Sequence, residues 1–157
     1  MFLYDIFQPE LIKIGLEAEE KDEAFEELID LYCRVKKSDG REDILDAIRE
    51  RESKMSTGIR KGIAIPHGKT NAVEDVQGIL GISKKGVDYD ALDGQPVYLL
   101  FVLLAPMMDS EKHLRLLKRL AELLDNPQFT IDLQAQNNPQ GASAVLKKYE
   151  DIYIASE

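Results

Sequence analysis

The sequence predicts an α/β single-domain sandwich, with helices covering a central β-sheet. Three observations carry that expectation. The chain has 157 residues, which fits one domain and is long enough to bury a substantial core without disulfides or metals. Amphipathic helical stripes alternate along it with short apolar strand segments. One segment, "VYLLFVLL" from Val97 to Leu104, is apolar throughout, which suits a strand buried on both faces.

The elements follow in order. "LIKIGL", Leu11 to Leu16, reads as a first strand. "KDEAFEELIDLYCRVKK" reads as a helix with Phe25, Leu28, Ile29 and Tyr32 on one stripe. Cys33 borders that stripe and reads as a core thiol. Ser38, Asp39 and Gly40 end this helix and start the next, "REDILDAIRERE", whose apolar face is Ile44, Leu45 and Ile48. "GIAIPH" is a short strand and "VQGILGIS" another, with a turn region beginning at Gly86. Pro106 closes the buried strand, and Asp109 and Ser110 offer caps for a helix to about Leu124. "NPQFTIDLQAQ" and "PQGASAVLKKYEDIY" read as two more helices, with Pro127 and Pro139 where helix starts tolerate proline. No repeat, low-complexity tract or linker divides the chain.

Composition excludes several classes. A net charge of -9 at pH 7 argues against nucleic-acid binding, which needs a basic stripe to neutralise phosphates. It also argues against electrostatic docking on anionic lipid, and it suits a partner with a positive patch. The single cysteine, Cys33, cannot form an internal disulfide, which points to a reducing compartment. "MFLYDIFQPELIKIG" lacks a basic region and is interrupted by Asp5, Pro9 and Glu10, so it does not read as a signal peptide. "VYLLFVLLAPMM" is too short to span a bilayer. A cytoplasmic location and no direct membrane insertion are expected.

The stretch "GIAIPHGKT", Gly62 to Thr70, ends like a phosphate-cradling nucleotide loop. The spacing is wrong: such a loop needs glycine at position 63, which is isoleucine. Pro66 also removes one of the N–H donors that the loop would use. What remains is His67 at the end of a strand, followed by Gly68, which lets the chain turn and leaves the ring approachable. The stripe Ile44, Ile48 continues by i+3 to Arg51, in the last turn of its helix. An arginine on that phase either caps the helix carbonyls or faces a cleft, ready to hold a phosphate by two parallel hydrogen bonds. His113 lies on the phase of Leu116, Leu117, Leu120 and Leu124, in the first turn of its helix. It is either a half-buried structural histidine or a neutral donor beside an anion.

These residues carry a resemblance. "RESKMSTGIRKGIAIPHGK", Arg51 to Lys69, resembles the signature of the enzyme IIA domains of the bacterial phosphoenolpyruvate-dependent phosphotransferase system. The likeness is to the fructose/mannitol class, which includes the nitrogen-regulatory proteins. "LDGQPVYLLFVLLAP" followed by "HLRLLKRLAELL" is similar to the second half of the pattern, so the likeness covers nearly all of residues 1–157. It implies a mixed sheet of about five strands flanked by helices on both faces. It implies that His67 is phosphorylated, that Arg51 lies by the active site as a phosphoryl clamp, and that His113 is the second active-site histidine.

The mechanism expected from this is reversible phosphoryl transfer. Neutral His67 takes the group from the histidine of phospho-HPr through a loose transition state, where positioning and charge stabilisation supply the catalysis. Ser56 and Thr57 either donate to the phosphoryl group or only shape their turn. One arginine with neutral donors is expected, since a tight cationic cage would hold the group too firmly. No metal is expected from two histidines without a cysteine cluster, and no cofactor is implied. Met107 and Met108 are candidate partner-binding residues, because methionine adapts to several surfaces. The partners implied are HPr and either a downstream IIB sugar-permease domain or regulatory targets. With no fused membrane or sugar-binding domain in the 157 residues, a regulatory protein or a separately encoded carrier is expected. A binding module without phosphotransfer is the remaining alternative.

Overall fold

The computed structural model describes residues 1–108 and 110–157, so the side-chain caps expected at Asp109 and Ser110 lie outside it. From the N-terminus the elements are α1 (Leu3–Ile6), β1 (Ile12–Ile14), α2 (Lys21–Lys36), α3 (Arg41–Lys54), β2 (Ile63–Ala64) and β3 (His67–Lys69). They continue as β4 (Gln77–Val87), β5 (Val97–Ala105), α4 (Ser110–Leu124), α5 (Pro127–Gln134) and α6 (Pro139–Ala155). The sheet runs β1-β4-β5, with β2 and β3 both on the far side of β5. The β4–β5 pairing is antiparallel and the pairings of β1 with β4 and of β2 and β3 with β5 are parallel, so the sheet is mixed.

The all-apolar run is β5, and its side chains alternate between two cores. Leu99, Phe101 and Leu103 join one cluster, while Leu100, Val102 and Leu104 join the other. Phe25, Leu28 and Ile29 from α2 and Ile44, Leu45 and Ile48 from α3 cover one face. Leu116 and Leu120 from α4, Phe129 from α5 and Leu146 from α6 cover the opposite face. A strand with apolar layers above and below has no polar side, and that explains its unbroken hydrophobic sequence. The last two helices begin at Pro127 and Pro139, behind the caps Asn126 and Asn138, whose side chains accept from Gln128 N and Gly141 N.

Four details differ from the sequence reading. The first strand is shorter, because Leu11 belongs to a 3₁₀ turn and Gly15, at φ 77°, ends the run. Helix α1 was not legible, because its support is remote. Fully buried Glu150 accepts hydrogen bonds from Leu3 N at 2.7 Å and Tyr4 N at 3.1 Å, and from Arg119 Nη1 at 3.2 Å. The turn expected at Gly86 is an irregularity within β4. Pairing with β5 passes from Ile82↔Leu99 to Val87↔Val97, and Gly86 takes φ 89° there.

The fourth difference positions the site. The strand expected across "GIAIPH" is broken, because Pro66 has no N–H to give to β5. Pairing resumes at His67, so the histidine begins a strand rather than ending one. Residues in register share a face of the sheet. His67 opposite Leu103 therefore faces the α4 layer, and Gly68 opposite Leu104 faces the α3 layer.

Candidate functional site

A cleft of about 320 Å³ opens at this sheet edge. Its lining includes Arg51 from the end of α3, His67 and Gly68 from β3, His113 from α4, and Met107 from the connection before α4. The stripe of α3 continues past Ile48 to Arg51, so the guanidinium leaves the core where the helix stops. There it donates from Nη1 to Met55 O at 2.9 Å, capping its own helix while lining the cleft. Arg51 thus caps its helix and also faces the cleft.

The His67 ring is half-buried, and its Nδ1 lies 2.8 Å from Ile65 O. A carbonyl oxygen only accepts, so Nδ1 carries the proton and Nε2 keeps its lone pair. That pairing leaves Nε2 as the ring nitrogen with a free lone pair. The ring's pKa lies below the ordinary 6.5, chiefly because burial penalises the charged form. The Ile65 carbonyl and the Glu52 charge oppose that shift, and the Arg51 charge adds to it. At neutral pH the His67 imidazole is therefore uncharged. His113 is 3% exposed, and its ring stands edge-on to His67, with centroids 5.8 Å apart and planes at 76°.

This shift fixes a pH dependence. The unfolded chain binds a proton at this position near pH 6.5, before the folded chain does. Stability linked to His67 is full above that value and declines as pH falls toward the folded pKa. A ring-proton titration by NMR is expected to show His67 ionising below pH 6.5, and a midpoint above 6.5 would contradict the burial argument.

Gly68 differs from the turn glycine expected. It lies within β3, and a Cβ there would meet the Ala47 carbonyl carbon at 2.9 Å and Ala47 Cβ and O at 3.1 Å. Glycine is needed for close strand–helix approach rather than for a turn. Ser56 and Thr57 do not line the cleft. Ser56 Oγ accepts from Gly58 N at 3.1 Å. Thr57 is buried and donates from N and Oγ1 to the Glu52 carboxylate, at 2.8 and 2.7 Å. That carboxylate also meets the Tyr89 hydroxyl at 3.0 Å and Lys21 Nζ at 3.2 Å. Burial pushes the Tyr89 phenol pKa well up, so this hydroxyl stays protonated. Both hydroxyls are thus committed to the fold. Met107 is 52% exposed and Met108 95% exposed, so both stand at the surface beside the cleft.

The sequence reading missed Lys54 and Lys69, which also line the cleft. With Glu50 also in its wall, the cleft carries three cations and one carboxylate, more positive charge than the single arginine expected. Strand alternation held the signal for Lys69, since residues 67 and 69 share a face of β3.

Fold and site together define a class: a mixed sheet between two helical layers, built around an uncharged imidazole in a cationic edge cleft. The chain belongs to the family described as "Phosphoenolpyruvate-dependent sugar phosphotransferase system, EIIA 2", whose pattern matches residues 5–149. The fructose-specific EIIABC component of Bacillus subtilis is 40% identical over 79% of this chain, and the match spans 20% of that longer protein. A nitrogen regulatory protein of Bradyrhizobium diazoefficiens is 32% identical over 93% of this chain and 95% of its own length. Among solved structures, nitrogen regulatory protein IIA-Ntr from Neisseria meningitidis superposes with a TM-score of 0.84 at 30% identity, covering 92% of this chain and 98% of that one. The Escherichia coli mannitol IIA, solved in complex with phosphorylated IIB, shares the fold at TM-score 0.76 and 18% identity, over 90% of this chain and 97% of that one. No helix among the described residues is long and apolar enough to cross a membrane.

Proposed function

We propose that this chain is a phosphocarrier of the fructose/mannitol type, with His67 as the residue that takes the phosphoryl group. The carrying observation is the His67 ring itself: half-buried, uncharged, with Nδ1 held by Ile65 O and Nε2 left to react. In the forward step Nε2 attacks the phosphorus of phospho-HPr. A new N–P bond forms as the bond to the donor histidine breaks, and the donor imidazole leaves with the electron pair. In the onward step a nucleophile of a IIB sugar-permease domain bonds to phosphorus as the His67 N–P bond breaks, and the His67 imidazole leaves with the electron pair. Support for a IIB partner comes from the mannitol IIA–IIB complex and from the fused EIIABC relative. The single free cysteine, Cys33, suits a cytoplasmic site of action.

Arg51 is the phosphoryl clamp in this reading, and His113 donates to the phosphoryl oxygens from the other side. Lys54 and Lys69 add positive charge at the rim. Met107 and Met108 would meet the partner protein. Arg51→Ala is expected to slow transfer on the order of 10²-fold, the typical loss of one charge-stabilising donor. The same change should cost only about 1 kcal/mol of stability through the lost Met55 contact. Rapid-quench phosphorylation beside a denaturant titration separates the two effects, and undiminished transfer would remove the clamp role.

A second reading has its own support: the nitrogen regulatory likeness covers nearly the whole chain. There the same phosphohistidine would act as a signal that changes target binding. The first experiment is incubation with enzyme I, HPr and phosphoenolpyruvate, followed by intact mass. An acid-labile gain of one phosphoryl group supports a carrier, and no gain leaves only a binding module. Onward transfer to a IIB domain then supports transport, and its absence supports regulation.

A further inference from the structure

We propose that helix α4 builds a second anion site, outside the phosphoryl cleft, for a single phosphate group. A separate cleft of about 130 Å³ is lined by Met1, Lys112, Arg115, Leu116 and Arg119. The spacing 112, 115, 119 puts three cations on one helical stripe, and buried Leu116 forms the floor between them. This convergence occurs on a chain whose net charge is -9.

Two of the cations are held in place. Arg119 Nη1 lies 3.2 Å from Glu150 Oε2, a carboxylate fully buried beneath it, and 3.3 Å from Met1 O. Lys112 Nζ lies 2.7 Å from Asp75 Oδ1. Arg115 is exposed and makes no ion pair among the described residues. Three cations against two carboxylates leave one positive charge uncompensated. Donors also remain: Arg119 uses only Nη1 in these contacts, and an arginine has five N–H groups in a planar fork. A tetrahedral oxyanion accepts from several such donors at once. The cleft is smaller than the 300–1,000 Å³ or so typical of sites for larger organic ligands. It suits one phosphate group, either inorganic phosphate or the phosphate end of a small ester that extends into solvent.

The test is a titration of the full chain, followed by amide NMR, with inorganic phosphate at constant ionic strength set by sodium chloride. Saturable shifts across residues 112–119 are expected. Arg115→Gln, at an exposed position, should weaken binding about tenfold or more. Lys118→Gln, the same charge loss on α4 outside the cleft, should leave it unchanged. A parallel titration with fructose 1-phosphate distinguishes the sources: tighter binding assigns the site to a phosphate ester, and equal binding assigns it to free phosphate. Shifts that never saturate, that chloride reproduces, or that fall only on residues 51, 67 and 113 would overturn the proposal. Saturation by a glutamate-rich peptide without any response to phosphate would overturn it as well.

Discussion

His67→Ala is expected to take up no phosphoryl group at all from phospho-HPr while keeping its fold. The chain offers two imidazoles, and exposure decides between them. His113 is 3% exposed, on the packed side of α4, and offers an incoming donor protein far less surface than the half-buried His67. His67 opens to the cleft with the Nε2 lone pair unprotonated, because Nδ1 is held by Ile65 O. Removing the ring costs the fold one hydrogen bond to the Ile65 carbonyl, about 1 kcal/mol, together with the edge-on contact to His113. His113→Ala should still be phosphorylated, more slowly by on the order of 10²-fold, since it loses a donor rather than the acceptor. Intact mass reads both variants, and ³¹P NMR of the wild type should report the Nε2 isomer. A singly phosphorylated His67→Ala protein would sink the assignment of the acceptor.

The core was legible wherever one helix phase or one strand pattern decided it. Ile44, Ile48 and Arg51 share a phase of α3, and that phase alone carries the guanidinium to the cleft. His113 shares its phase with Leu116 and Leu120, which put it on the packed side of α4. What stayed hidden depends on contacts between distant residues. Nothing near Leu3 announces a helix, because its first amides are held by a carboxylate 147 residues away. Thr57 sits in a motif beside the site, yet its hydroxyl is claimed by Glu52, which becomes visible only once α3 and the loop are placed. The break at Pro66 could be read from its missing N–H, but resumption of pairing at His67 depends on β5.

Gly68→Ala carries the second large effect, because it strikes fold and site together. The nearest atom to an added Cβ is the Ala47 carbonyl carbon at 2.9 Å, part of the α3 backbone, which cannot rotate away as a side chain would. Strand and helix must separate, at an overpacking cost of about 1–3 kcal/mol. Arg51 lies one helical turn beyond Ala47, and His67 is the neighbour of Gly68, so separation moves the guanidinium relative to the ring. A displacement of roughly 1 Å between reacting groups costs on the order of 10²-fold in rate. Denaturant unfolding should show the stability loss, and rapid-quench phosphorylation the slower transfer. Adding Ala47→Gly removes the 3.1 Å contact with Cβ but leaves the closer one with the backbone. Rescue by the double variant should therefore be partial. A Gly68→Ala protein with wild-type stability and rate would mean that the strand–helix gap does not set the distance from Arg51 to His67. That distance would then have to be held from the 55–58 loop, where Met55 O receives the arginine and Glu52 anchors Thr57.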